Sequence, residues 1–89
     1  MKESNKPIKT FRAGCVSASI WKKEVKKDKK VLTFYNVSIE RSYKDEESDE
    51  WKSTDSYSLY DLPKVTLVSN LAYEYIITKA YDTDYFKEE

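Results

Sequence analysis

Histidine is absent from this sequence, and cysteine, glycine and methionine occur once each. The commonest general base and the commonest zinc ligand are therefore both missing, and one thiol cannot complete a four-ligand zinc site. Cys15 has no partner for an internal disulfide. With no base beside it, it reads as a small packed or half-buried side chain, not a nucleophile. No apolar run approaches the roughly 20 residues that span a bilayer, and Met1–Lys9 is too polar for a secretory leader. Together these absences argue against the usual catalytic constellations. The expectation is a non-enzymatic protein, without metal or cofactor, of the cytoplasm or associated with the nucleoid.

Net charge is also missing, but only as a cancellation. Residues 1–44 hold 12 Lys/Arg against 4 Asp/Glu, a balance of +8, while residues 45–89 hold 4 against 12, or −8. The run Lys22, Lys23, Lys26, Lys27, Lys29, Lys30 offers a polyanion a local positive field that the total conceals. The 89 residues suffice for one modest core, and 8 Tyr, 3 Phe and 2 Trp supply large apolar surfaces that disordered chains lack.

Residues 1–8 read as a loosely held arm, 9–80 as a single domain and 81–89 as an acidic tail. From Lys9 to Trp21 the residues alternate as in one extended strand. Val16, Ala18 and Ile20 fall on one side, and Phe11, Ala13, Cys15, Ser17, Ser19 and Trp21 on the other. Gly14 marks a bulge or bend. Lys22–Lys30 suits a solvated hairpin loop. Val31–Tyr43, β-branched and aromatic, is a second strand with its Val37 and Ile39 side turned to the core. After an acidic turn, Trp51–Leu59 alternates again. The period then changes: Asp61 stands where a carboxylate caps a helix and Pro63 lies in its first turn. Val65, Val68, Leu71, Ala72, Tyr75 and Ile76 form an apolar stripe at helical spacing. A helix running to Lys79 would be about 27 Å long, enough to cross three or four strands.

The acidic run Asp45, Glu46, Glu47, Asp49, Glu50 lacks the alternating ligands and glycine of a calcium loop and reads as a solvated turn. Binding of nucleic acid without sequence preference needs cations that follow phosphates and rings that stack on bases. Phe11, Arg12, Trp21, Lys22, Lys23, Phe34 and Lys52 fall on or at the edges of the sheet face opposite the expected helix. The loop carrying Lys26, Lys27, Lys29 and Lys30 extends that face. Packing remains an equal reading for Trp21, Trp51 and Phe34, and a solvated hairpin that discourages aggregation for the lysine run. Tyr73, Tyr75, Tyr81 and Tyr85 read as core or subunit interface.

This order of elements, a strand meander with a basic first hairpin loop, an acidic turn and one closing helix, resembles the small single-stranded DNA-binding domains of the transcriptional coactivator type (the positive cofactor and Whirly-like fold). The stretch Phe11-Arg12-Ala13-Gly14-Cys15-Val16-Ser17-Ala18-Ser19-Ile20-Trp21 is also similar to a FRAG-x-VSA-x-x-W opening of small microbial and viral proteins. The resemblance spans residues 9–80. It implies a homodimer whose sheets and hairpin loops hold single-stranded DNA, with the lysine run on phosphates and Phe11 and Trp21 as stacking surfaces. The coactivator family's excess of positive charge is missing here.

The expectation is thus an α+β protein, an antiparallel meander of three to four strands with one C-terminal helix across one face. A homodimer would form through Val68, Ala72 and Ile76. Its expected function is sequence-tolerant binding of single-stranded DNA, or RNA, in transcription, replication or repair. The alternative is a protein-interaction module or nucleic-acid mimic acting through the acidic half.

Overall fold

A computed structural model describes residues 2–3 and 6–80; the acidic tail expected at 81–89 lies outside the described residues. The architecture is α+β. Five antiparallel strands form one sheet: β1 (Lys2–Glu3), β2 (Lys9–Ala13), β3 (Val16–Lys27), β4 (Lys30–Lys44) and β5 (Trp51–Thr54). A single-turn 3₁₀ segment (Leu59–Asp61) leads into the helix α1 (Leu62–Tyr75), which continues as a π turn over Ile76–Ala80.

The long hairpin β3–β4 is the frame. Its register runs without a bulge from Val16↔Arg41 to Lys27↔Lys30. The two-residue turn between them puts both Asp28 (φ 52°) and Lys29 (φ 66°) in the left-handed region. That is the geometry in which a two-residue turn matches the twist of its strands. Along the other side of β3, β2 pairs with Val16–Ile20 and β1 with Lys23–Glu24. Part of the expected N-terminal arm is therefore held as a short edge strand.

Gly14 corrects the expectation of one continuous strand from Lys9 to Trp21. It adopts φ 62° and with Cys15 makes a tight turn, so that Ala13 pairs directly with Val16 and Cys15 is exposed, not packed or half-buried as expected. Residues paired across antiparallel strands share a face. Phe11 and Ala13 therefore lie on the same side as Val16, Ala18 and Ile20, not opposite them.

That side is covered by α1, which crosses β2 and β3. Val16, Ala18, Ile20, Val68 and Ala72 form the fully buried core, with Phe11, Ala13, Tyr35, Ile39, Val65, Tyr75 and Ile76 packed around it. Each large aliphatic side chain so buried contributes about 1.5–3 kcal/mol. Val68 and Ala72 are thereby withdrawn from the expected dimer interface: both are sealed against the sheet of their own chain, and Ile76 packs beside them.

The start of the helix also differs from expectation. Asp61 does not cap α1; its carboxylate reaches back to the Ser58 N–H and hydroxyl, each at 2.9 Å, and pairs with Arg41 Nε at 3.2 Å. The helix entry is thus tied to β4. The third long strand is shorter than the alternation of Trp51–Leu59 suggested. It ends at Thr54, where the Thr54 hydroxyl accepts the Ser56 N–H and turns the chain. At the far end, the Thr78 hydroxyl donates to the Glu74 carbonyl at 2.6 Å, the acceptor that a continuing α-helix would use for the Thr78 N–H.

Candidate nucleic-acid interface

With α1 on one side, the alternation of the register fixes what the other side carries. Thr10 and Arg12 of β2, Ser17, Ser19, Trp21, Lys23 and Val25 of β3, and Leu32, Phe34, Asn36, Ser38 and Glu40 of β4 share the open face. Trp51 and Ser53 continue it on β5. No helix covers this surface among the described residues.

Trp21 is the best-defined group on it. Its indole Nε1 donates to Ser38 Oγ at 3.0 Å, although Asn36 is its direct cross-strand partner. The ring is therefore drawn diagonally from β3 over β4 and held there by its edge. Phe34, directly opposite Lys23, is the diagonal neighbour of Trp21 and is 48% exposed. Leu32 and Trp51 are exposed on the same face. Trp21 and Lys23 on β3 and Phe34 on β4 thus share one face, and partly exposed rings of this kind accept another flat ring.

Of the seven residues expected on the sheet itself, four, Arg12, Trp21, Lys23 and Phe34, lie on this face, with Arg12 opposite Ser17 and so six residues along β3 from Lys23. Three do not. Phe11 lies under the helix, edge-to-face with Tyr75 at 6.0 Å between centroids and with Lys9 Nζ 5.4 Å from its own ring. Lys22 and Lys52 are on the helix side by the same register. Lys22 is 3.6 Å from Glu24, and Lys52 holds Asp45 at 2.7 Å. The lysine run is divided by alternation as well: Lys27 and Lys30 follow the open face, Lys26 pairs with Val31 on the other, and Lys29 is in the turn. The two-stranded end of the hairpin lies beyond α1, so all four are exposed there.

Leu32, Asn36, Ser38 and Trp51 are parts of this face absent from the expected set. Alternation along Val31–Tyr43 already puts the three on β4 on the side of Phe34, without marking them as contacts.

The acidic turn is a built element. Asp45 accepts the Glu47 N–H and is held by Lys52, while Lys44 reaches Asp49 at 3.1 Å. The Lys52 ammonium, then the backbone N–H of Glu47, hold the Asp45 carboxyl below its ordinary range. Among the described residues no group of three or more His, Cys, Asp or Glu is placed to hold a metal, and no helix is long and apolar enough to cross a membrane. No protein-family model, curated protein or solved structure matches the chain.

Proposed function

We propose that this protein binds single-stranded DNA or RNA without sequence preference across the open face of its sheet. The observation that carries the reading is that Trp21, Lys23 and Phe34 share a face that no helix covers among the described residues, with Arg12 farther along it and Lys27 and Lys30 toward the hairpin tip. Stacked bases would supply about 1–3 kcal/mol each, and phosphates would follow the cations. The element order shared with coactivator-type single-strand binders supports the same class of ligand by analogy of fold. On this reading the protein is a binding protein and not an enzyme, acting in the cytoplasm or at the nucleoid in transcription, replication or repair. The ordered acidic turn, pinned by Lys44 and Lys52, favours a second reading, a protein contact made by that loop.

The test is fluorescence anisotropy of a labelled single strand of about 20 nucleotides at low and physiological salt, with duplex as competitor. Salt-sensitive binding that duplex displaces poorly is expected. Replacing Lys26, Lys27, Lys29 and Lys30 by Ala should weaken it and flatten the salt slope by ~0.7 for each phosphate that is no longer neutralised. No binding at low salt would overturn the proposal and turn attention to the acidic loop.

A further inference from the structure

The open face changes character along its length. Toward the hairpin tip it carries Lys23, Lys27 and Lys30; past Trp21 it passes to Ser38 and then Glu40. Beside those two positions β5 has stopped at Thr54, and the chain turns away where the Thr54 hydroxyl accepts the Ser56 N–H. Between β4 and this departing segment lies a shallow opening of about 420 Å³, lined by Ser38, Ile39, Glu40, Ser53, Thr54 and Asp55.

The Trp21 indole ends at the wall of this opening. Ser38 Oγ, which accepts the indole N–H at 3.0 Å, is one of the lining groups, and Glu40 is the next open-face position of β4, about 7 Å further on. A base laid on the indole can therefore turn one edge to the opening. What that edge meets is set by two carboxylates. Glu40 and Asp55 make no hydrogen bond or ion pair through their side chains among the described residues. Arg41, the next residue of β4, is engaged elsewhere, by the Ser56 carbonyl and the Asp61 carboxylate. Both free carboxylates act on Tyr57, whose hydroxyl is raised above its ordinary value first by burial, then by Asp55 and Glu40. They thus flank one point, the Ile39 carbonyl to which that hydroxyl donates.

A carboxylate accepts and cannot donate, whereas the hydroxyls of Ser38, Ser53 and Thr54 rotate to suit either role. The group that completes such an opening is an N–H donor, and a keto oxygen turned to it would face charge of its own sign. We infer that the opening receives the edge of a base stacked on Trp21 and selects bases that present an exocyclic amino group, such as cytosine and adenine, over uracil and thymine, with Glu40 as the acceptor. The inference rests on the proposed single-strand binding and adds to it a bias at one base position. Elsewhere along the strand the contacts go to phosphates and ring faces, which carry little sequence information.

Cytosine and uracil share one ring and differ at position 4, where an amino group replaces a keto oxygen, so they provide the test. Labelled oligodeoxycytidylate and oligodeoxyuridylate of about 20 nucleotides are titrated by anisotropy at low salt and slightly alkaline pH, where cytosine stays unprotonated. The Kd for the uracil strand should be at least about fivefold that for the cytosine strand, the lower end of what one specific base contact contributes. Glu40→Gln keeps the shape and adds a donor, so the ratio should fall to near one. Glu46→Gln removes the same charge from the acidic turn and should leave the ratio as it was. A ratio is insensitive to the general gain in affinity that loss of a negative charge brings. Equal or reversed affinities in the wild type would overturn the inference and leave single-strand binding standing. A ratio that survives in Glu40→Gln, or is lost equally in Glu46→Gln, would overturn the contact with Glu40. Binding of neither strand would overturn the single-strand reading itself, and the inference with it.

Discussion

Trp21 and Phe11 stand ten residues apart, and the structure puts them on opposite faces of one sheet, so only one of the two truncations should damage binding. Trp21→Ala removes a ring that lies outside the buried core but is itself largely covered on the sheet, and whose hydrogen bond ends on the exposed Ser38. Water replaces that bond at little cost, so the stability lost is that of the indole's packing, and a separate loss falls on the ligand. One stacked base at about 1–3 kcal/mol corresponds to a roughly 5- to 150-fold rise in Kd. Phe11→Ala removes a ring packed against the core and edge-on to Tyr75. A fully buried Phe→Ala costs about 3–5 kcal/mol, and Phe11 is only partly covered, so about 2–3 kcal/mol is expected. In a domain of this size that lowers Tm by roughly 10–20 °C. Anisotropy titrations should be made at a temperature where both variants are folded by circular dichroism. Both variants should melt below the wild type; at the chosen temperature Trp21→Ala should lose affinity and Phe11→Ala should keep it. A folded Phe11→Ala protein that loses as much affinity as Trp21→Ala would refute the assignment of faces. A Trp21→Ala protein that binds normally and melts early would show that the indole is packing and nothing more.

Other expectations follow from single positions. Ile20 is fully buried between sheet and helix, so Ile20→Ala should cost about 2–5 kcal/mol and Ile20→Val about 1 kcal/mol in urea melts; equal losses would mean that the site collapses around the cavity. At Gly14 an added Cβ would lie 3.1 Å from the flexible end of Lys64, which can move away. The cost of Gly14→Ala is therefore that of the left-handed backbone, about 1–2 kcal/mol, and a further Lys64→Ala change should not recover it. Asp61 is held below its ordinary value of 3.8 first by the Ser58 backbone N–H, then by the Ser58 hydroxyl, with Arg41 and Lys64 adding to this. A carboxyl depressed by folding stabilises the native state above its unfolded pKa and loses that stabilisation as pH falls through the folded value. Asp61→Asn should thus flatten the acid limb of the urea midpoint below pH 3.8, and an unchanged limb would remove Asp61 as its source.

How much of this was legible depended on what period alone can carry. The alternation of Val16, Ala18 and Ile20 and the stripe of Val68 and Ala72 both pointed to buried faces, and those residues are the core. Period does not say what covers a face, which is why Val68 and Ala72 also suited a subunit contact until α1 was seen lying on β3. It is equally blind to a tight turn. Read as one strand, Phe11 and Val16 are out of phase; folded at Gly14–Cys15, they come into phase through the Ala13↔Val16 pair. One glycine thus moved a predicted stacking residue into the packed layer. The same turn left Arg12, Trp21 and Lys23 on the open side. That β4 runs on well beyond its pairing with β5 could not be read at all, because it depends on β5 stopping at Thr54.

The opposed charges of the two halves acquire a geometric meaning along β4. The lysine tip and the acidic turn lie at its two ends, and 15 residues of strand at about 3.3 Å each keep them roughly 50 Å apart. That is several times the screening length of about 8 Å at physiological salt. The neutral total is therefore felt only at a distance, and a phosphate chain at the tip does not sense the acidic turn of the same copy. Alternation divides the lysines at the tip, with Lys27 and Lys30 on the open face and Lys26 on the other. Lys27→Ala should therefore flatten the salt slope of single-strand binding more than Lys26→Ala does. Equal slopes in the two variants would mean that the tip lysines act on phosphates as one cluster, whichever face their strands present.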